Sequence, residues 1–332
     1  MEYFAYQWHI TDYCDQRCKH CYIFSENENK KLLEMSFEKI KETLSSIKVM
    51  CQKENKVPYI YLTGGDPILH TQFWDILKLF KEHHIAYGIL GNPFHLNDEV
   101  CLKLKEYGCL KYQLSFDGLK ETHDYFRKPG SFEITLDKIK CLKKAGIKVA
   151  IMTTVSGTNI KEIPDIIDLV VKHQVDVFAF GRYCPTILEK SIHIKPLKYR
   201  NLLDICWQKF EQYKDKTTSF NLKDHLWTLY LYEKGLLQIP EDLDKNTIYD
   251  GCHCGSHHMT ILPDGKIYAC RRMESCIGNI QEKSLYELFY DKEYEKCKKC
   301  ELLRFCRGCP AVSYGYSHNM YTPDPQCWKE VG

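Results

Sequence analysis

The sequence predicts an α/β protein: a partial (β/α)6, TIM-like barrel over residues 1–186, a helical bridging region over 187–251 and a cysteine-rich domain over 252–332. Two observations predict it. Apolar, β-rich runs alternate with helical periodicity through the first half of the chain, the signature of right-handed βαβ units and a parallel sheet. Nine of the eighteen cysteines then crowd into the last 81 residues. Six strand–helix repeats are too few to close an eight-stranded barrel, so an open or partial one fits the count.

The strand-like runs are Tyr3–Ile10, Tyr59–Thr63, Tyr87–Leu90, Leu110–Phe116, Lys148–Val155 and Val175–Phe180. Between them apolar residues recur at helical spacing. Phe37, Ile40, Leu44 and Ile47 follow Ser36, an N-cap residue type; Phe73, Ile76, Leu77 and Phe80 repeat the pattern. So do Leu136, Ile139 and Leu142, then Ile163, Ile166, Ile167 and Val170. Beyond residue 187 two helices are expected, around Pro196–Tyr213 and Leu222–Lys234. Pro263-Asp264-Gly265 supplies turn chemistry for a hairpin over Met259–Cys270.

Composition narrows the function. Forty-six basic residues against 44 acidic ones give a net charge of +2, which argues against bulk-charge binding to nucleic acid. The opening MEYFAYQWHITDYC has no signal-peptide pattern, and the longest apolar runs fall far short of the ~20 residues that span a bilayer. A cytoplasmic, non-membrane protein is expected, where cysteines serve metals or redox chemistry more often than disulfides. Cys51, Cys101, Cys109, Cys141 and Cys206 lie in or beside helical segments and read as buried hydrophobes. Cys276 also reads as buried.

Cys14, Cys18 and Cys21 form a C-x3-C-x2-C loop directly after the first strand. Three thiolates on one loop can hold three irons of a [4Fe–4S] cube and leave the fourth open; structural zinc wants four ligands. The loop, together with Leu62-Thr63-Gly64-Gly65-Asp66-Pro67 after the second strand, resembles the radical SAM (S-adenosylmethionine) family, marked by C-x3-C-x-Φ-C and a Gly-Gly-Glu-Pro motif. Here His20 stands at the Φ position and Asp66 replaces the glutamate. The resemblance spans residues 3–186. It implies that Gly64, Gly65, Asp66 and Pro67 meet the SAM amino group, that His20 stacks near the adenine, that Ser115 of an S-x-D-G segment and Asn159 lie at the nucleoside, and that Arg127 reaches the SAM carboxylate. Read without the resemblance, Ser115 is a turn cap and Arg127 a solvated charge. The implied reaction is reductive cleavage of SAM to a 5′-deoxyadenosyl radical, which abstracts hydrogen from an unactivated C–H bond.

The C-terminal cysteines resemble the SPASM domain of radical SAM peptide-modifying enzymes, with a G-x4-C unit at Gly265–Cys270 and C-x2-C-x5-C-x2-C from Cys297 to Cys309. The resemblance implies two auxiliary [4Fe–4S] clusters, three in all. Cys297, Cys300, Cys306 and Cys327 would hold the outer one. Cys270 and Cys309, with Cys254 and Cys252, would hold the inner one. The last spacing is one residue shorter than the family's, and Cys252 and Cys254 stand unusually close, so an inner iron left open for substrate is one expectation. A pair of zinc sites is the alternative. Arg182, Tyr183 and Cys184, at the exit of the sixth strand, are candidate substrate contacts, and Cys184 a candidate hydrogen-atom donor; the plainer reading of Cys184 is a packed loop cysteine.

The resemblance implies a maturase that modifies a ribosomally synthesised precursor peptide by forming thioether bridges, close to the group acting on Ala-Cys-Gly repeat peptides. Epimerisation or carbon–carbon crosslinking would use the same machinery. The 13 residues before Cys14 leave no room for a peptide-recognition domain, so a separate recognition protein is an expected partner. An electron donor such as flavodoxin or ferredoxin is another. Anaerobic sulfatase maturation is an alternative, but Arg271 and Arg272 stand where those enzymes carry an aspartate base; the arginines suit an acidic peptide instead. A zinc-bearing scaffold without catalysis is the reading from a different class.

Overall fold

The structure, a computed structural model, describes residues 2–24, 31–185, 192–240, 249, 251–254, 257–290, 300–302, 305–306, 308–320 and 322–329. The chain forms two compact units. The first comprises residues 1–116, 120–151 and 254–293, the second 117–119, 152–253 and 294–332.

In the first unit, β1 (Tyr3–Thr11), β2 (Val57–Gly64), β3 (Ala86–Leu90), β4 (Lys111–Ser115) and the start of β5 (Lys148–Val155) lie side by side in sequence order. The β1–β2–β3–β4 pairings are parallel, with Tyr6 opposite Ile60 and Trp8 opposite Leu62. Tyr6, Trp8, Ile60 and Leu62 are fully buried. Helices supply the crossovers. Ser36 caps α1 (Phe37–Lys53), its hydroxyl accepting the Lys39 N–H at 3.4 Å. α2 (Phe73–Glu82) buries Phe73, Ile76, Leu77 and Phe80, the face its 3.6-residue period selects. Phe80 meets Trp8 and Tyr87 at ring-centroid distances of 5.9 and 5.5 Å, which seats the helix on β1 and β3. Apolar periodicity does not reveal α3 (Asp98–Glu106), which is short and buries only Cys101 and Leu104; Asn97 caps it, accepting the Val100 N–H at 2.8 Å. α4 (Lys120–Phe126) and α5 (Ser131–Lys144) complete the run.

The expected hairpin forms as β8 (His258–Ile261) and β9 (Lys266–Tyr268), and β10 (Cys276–Asn279) pairs with β9. Its docking place is not encoded by any local pattern. β8 adds in parallel to the free edge of β1, with Ala5 opposite His258 and Trp8 opposite Ile261. α9 (Leu285–Tyr290) follows. Cys276 and Cys141 are half-buried rather than buried: β10 is an end strand of the sheet, and the Cys141 thiol meets the Asp98 carboxylate; Cys51, Cys101, Cys109 and Cys206 are buried as expected.

In the second unit, the end of β5 is followed by β6 (Val177–Arg182) and β7 (Ser219–Asn221), the latter parallel to β6 with Phe178 opposite Phe220. α6 (Ile163–Lys172) buries Ile163, Ile166, Ile167 and Val170. α7 (Pro196–Gln212) and α8 (Leu226–Glu233) surround Trp227, whose ring lies 5.8 Å from Phe180 and 5.6 Å from Phe210. The helix expected from Leu222 starts four residues later because Asp224 turns its carboxylate onto the Leu226 N–H, at 3.1 Å. α10 (Pro310–Ser317) carries the chain beyond Cys309. No helix among the described residues is long and apolar enough to cross a membrane.

Candidate functional site

The chemistry-bearing residues of the barrel sequence follow the C-terminal ends of strands, the end where α/β folds place their sites. Cys14 comes after β1, Asp66 after β2, Asn92 after β3, Ser115 ends β4, Asn159 follows β5 and Cys184 follows β6.

In the first unit, the cysteine loop is held against the end of β2 by two backbone contacts, Gly65 N–H to Thr11 O at 2.8 Å and Asp66 N–H to Tyr13 O at 2.7 Å. The glycines are required by this approach. A Cβ on Gly64 would stand 2.1 Å from Thr11 O, and one on Gly65 2.1 Å from Tyr13 O; Gly64 also has φ +144°. The loop's thiols are half-buried. The Asn92 amide points at the Cys14 sulfur from 3.9 Å, and Arg127 Nη1 points at Cys18 Sγ from 3.9 Å. Burial is the main cause that pushes the Cys14 thiol up to about 12, with the carboxylates of Asp66 and Asp15 adding to it.

Asp66 is fully buried, and neither carboxylate oxygen has a hydrogen-bond partner. Burial and then the nearby Asp15 push it up to about 8; the backbone N–H groups of Asn92 and Ile68 face it and offset this only in part, without forming a full hydrogen bond to either oxygen. Ligand atoms of Asp15, Asp66 and His95 lie within 4.8 Å of one another. A buried, unpartnered carboxylate beside a cysteine loop is an open place for a cationic group, which is what the ammonium of an amino acid supplies. Pro67 opens a short 3-10 turn directly after it. His20 packs edge-on against Phe126, with centroids 5.5 Å apart, so its ring is steered by an aromatic neighbour.

In the sequence, Arg271 stands where a base is lacking and, with Arg272, suits an acidic peptide. It lies over the rings of Tyr22 and Tyr268, at 5.3 and 5.9 Å, and its Nε is buried without a hydrogen-bond partner. The charges of Arg271, Arg272, Cys21 and Cys270 all act on the Tyr22 hydroxyl, so the cysteine loop, the arginine pair and Cys270 are neighbours. Cys254 bridges to His258 at the start of β8.

In the second unit, Asn159 accepts the Ser156 N–H and donates to Asp117 O and Thr154 O, all at 2.8–2.9 Å. Its amide is committed to holding the turn after β5. Arg182 differs from its expected role. The side chain is fully buried between Asp224 and Asp324, with Nε to Asp224 at 3.0 Å and both Nη atoms to Asp324 at 2.8 Å. Its guanidinium is spent on ion pairing, not offered to substrate. Tyr183 is half-buried, with its N–H on Val155 O.

Cys184 sits beside Cys309. A hydrogen bond from Cys184 is the largest cause that holds the Cys309 thiol down at about 6, with His225 and Arg182 helping against burial. His225 is raised to about 9: burial pushes it down, but the hydrogen bond and charge of Cys252 prevail. Cys300 acts on Cys327, and Cys327 in turn on Cys306, which brings three of the expected outer ligands together. Cys297 lies outside the described residues.

Residues 8–170 match the profile of the Radical SAM superfamily, and residues 252–310 that of SPASM, an iron–sulfur cluster-binding domain. The AdoMet-dependent heme synthase of Oleidesulfovibrio alaskensis is 25% identical over 343 residues, covering 96% of this chain and 86% of that protein. The mycofactocin maturase MftC of Mycolicibacterium smegmatis is 24% identical, covering 96% of this chain and 81% of that protein. The crystal structure of Streptococcus suis SuiB bound to precursor peptide SuiA superposes with a TM-score of 0.76 at 18% identity, over 99% of this chain and 76% of that one.

Proposed function

We propose that this chain, a radical SAM enzyme with a C-terminal SPASM domain, is a peptide maturase that joins a cysteine sulfur to a carbon of a ribosomally made precursor as a thioether. Its family uses a [4Fe–4S] cluster and SAM, and together these supply hydrogen-atom abstraction from an unactivated C–H bond. The observation that carries the reading is the buried, unpartnered Asp66 carboxylate beside a loop with three thiols. It is a cradle for a cationic ligand placed at a cluster that keeps one iron open.

In this reading Cys14, Cys18 and Cys21 hold the cluster and Asp66 takes the SAM ammonium. Arg127, which already points at Cys18, takes the SAM carboxylate. Gly64 and Gly65 let β2 close on the loop, Pro67 fixes the turn behind Asp66, and His20 and Ser115 border the nucleoside. Asn159 acts indirectly, by holding the turn after β5. Two auxiliary clusters complete a set of three, with Cys297, Cys300, Cys306 and Cys327 on the outer one and Cys252, Cys254, Cys270 and Cys309 about the inner one. Joining a thiol sulfur to the carbon of a C–H bond releases two protons and two electrons: one hydrogen atom would leave to the SAM-derived group, and the remaining proton would pass to solvent and its electron to the auxiliary clusters.

Arg271, with Arg272 next to it in the chain, supports an acidic substrate, since the Arg271 guanidinium keeps a buried Nε–H without a partner and is built to meet a carboxylate. The mycofactocin maturase relative supports a peptide. The arginines also favour a second reading, given the heme synthase relatives: a carboxylate-bearing tetrapyrrole.

The deciding experiment is anaerobic co-expression with a small cysteine-rich peptide encoded beside this protein, read by intact mass before and after thiol alkylation. Loss of two hydrogens per modified residue with fewer alkylatable thiols supports thioether formation. Loss with all thiols free points to a carbon–carbon crosslink. An unchanged peptide, with turnover of an iron–porphyrin carboxylate, sinks the peptide reading in favour of the second.

A further inference from the structure

The second unit gathers sulfur and imidazole donors from four segments distant in sequence. Cys184 follows β6, His225 precedes α8, Cys252 follows Gly251 and Cys309 precedes α10. Three ties bring these segments together. The first is Arg182, two residues before Cys184. It grips Asp224, the residue bonded to His225, and Asp324, whose Oδ2 accepts the Cys309 N–H at 3.1 Å. One buried guanidinium thus sets the backbones of Cys184, His225 and Cys309. The second is a close approach of α10 to the loop after β6: a Cβ on Gly315 would lie 2.3 Å from Pro185 O, so the helix that starts after Cys309 rests on the residue after Cys184. The third places Cys252. Gly251, at φ +97°, lets the chain pass where a Cβ would stand 2.4 Å from Cys306 O, while the Cys306 thiol donates to His225 O at 3.2 Å. The side chains then meet: the Cys184 thiol hydrogen-bonds to Cys309, and the His225 ring to Cys252. Cys184 and Cys252 are 9% and 6% exposed, so the cluster of donors is shielded from bulk water.

A cysteine whose part is only to fill space does not need a guanidinium, two carboxylates and two tight glycine contacts to set it beside another thiol. We propose that Cys184 is an iron ligand of the inner auxiliary cluster, bound beside Cys252 and Cys309, with His225 as the hydrogen-bond donor to the ligating Cys252 sulfur. On ligation the Cys184 thiol gives its proton to solvent and its sulfur bonds to iron, with no change in oxidation state. Cys184 then closes an iron that the tight Cys252/Cys254 spacing would leave open. This rests on the reading that the cysteine-rich module holds iron–sulfur clusters.

The test uses the full chain with Cys14, Cys18 and Cys21 all replaced by alanine, reconstituted anaerobically so that only auxiliary clusters load. Iron and sulfide per chain and the electron paramagnetic resonance spectrum are read with and without Cys184→Ala, with Cys206→Ala as the buried-cysteine control. The background should hold about eight irons. Cys184→Ala should lose at least one iron per chain and show either a [3Fe–4S] signal on oxidation or loss of one cluster's signal, with Cys206→Ala unchanged. Cys184→Ser, which keeps the shape and offers oxygen, should retain iron but shift the g-values of one cluster. Background iron and spectra preserved in both Cys184 variants would overturn the assignment, as would an equal loss in Cys206→Ala. A background with about four irons or fewer would overturn the two-cluster reading itself, and this assignment with it.

Discussion

Arg182 and Asp324 meet as a fully buried, two-pronged pair, Nη1 to Oδ1 and Nη2 to Oδ2, each at 2.8 Å. Asp224 takes the remaining Nε. Removing one member of a buried pair strands a charge, which typically costs about 3–5 kcal/mol. Arg182→Met should therefore destabilise the chain by about that much in chemical denaturation, and Asp324→Asn by somewhat less because the amide keeps hydrogen bonds. A loss under ~1 kcal/mol for Arg182→Met would contradict the tethering role.

The same pair sets an acid limit. Burial alone would raise Asp324, but the Arg182 charge and hydrogen bonds, with the N–H groups of Gln326 and Cys309, hold it below its ordinary value of 3.8. A depressed carboxylate stabilises the fold above its unfolded value, and that contribution disappears as pH falls through the folded one. Asp324→Asn should flatten the loss of stability below about pH 4, where the wild type declines; thermal melts across that range, on iron-free protein, check it.

Asp66 has the opposite sign. It titrates near 3.8 when unfolded and at about 8 when folded, so the iron-free chain should lose stability as pH rises between those values. Asp66→Asn removes this cost. Iron-free Asp66→Asn should be more stable than wild type at pH 8.5 by about 1 kcal/mol or more, and indistinguishable below pH 4. In the reconstituted enzyme the same change should weaken SAM binding by about tenfold or more, measured calorimetrically, because a charge-assisted hydrogen bond is lost.

Gly65 tests the seating of the cysteine loop. Its Cβ would stand 2.1 Å from the Tyr13 carbonyl oxygen, which belongs to backbone and has little room to yield. Gly65→Ala should lose about four irons per chain after reconstitution, with the auxiliary clusters retained. Full iron loading would show that the loop can seat without this contact.

Arg271 tests the substrate side. Losing a guanidinium–carboxylate contact costs about 1.5–3 kcal/mol, so Arg271→Ala should raise the KM for an acidic peptide about 10- to 100-fold. A peptide with its carboxylates neutralised should be bound equally by both enzymes. An unchanged KM for the acidic peptide removes Arg271 from recognition.

Much of this arrangement was legible in the sequence, and the rest was not for physical reasons. The six barrel strands and the hairpin follow from local apolar period and turn chemistry, which neighbouring residues encode. The cysteine loop stands out by its spacing, and Asp66 only through the resemblance of Gly64-Gly65-Asp66-Pro67 to a family motif. Arg182 was misread because its meaning depends on carboxylates 42 and 142 residues away; a charged residue at a strand end looks the same whether it faces substrate or two aspartates. The isolation of Asp66 and the orphaned Nε of Arg271 are properties of surroundings, which no local pattern records. α3 escaped because it has a narrow buried face of two residues.

The parallel pairing of β8 with β1 has a consequence for how the chain is made. Residues 5–8 find their partners at 258–261, so one edge of the first strand stays without its mate while the intervening chain is synthesised. At 5–20 residues per second that interval is roughly 10–50 s. Throughout it, the backbone donors and acceptors of Ala5–Trp8 on that side are open to another nascent copy, a known route to aggregation. A newly made molecule would gain from a chaperone that covers this strand until the hairpin arrives, and C-terminal truncation before residue 258 should yield a barrel that self-associates rather than one that merely lacks its auxiliary clusters.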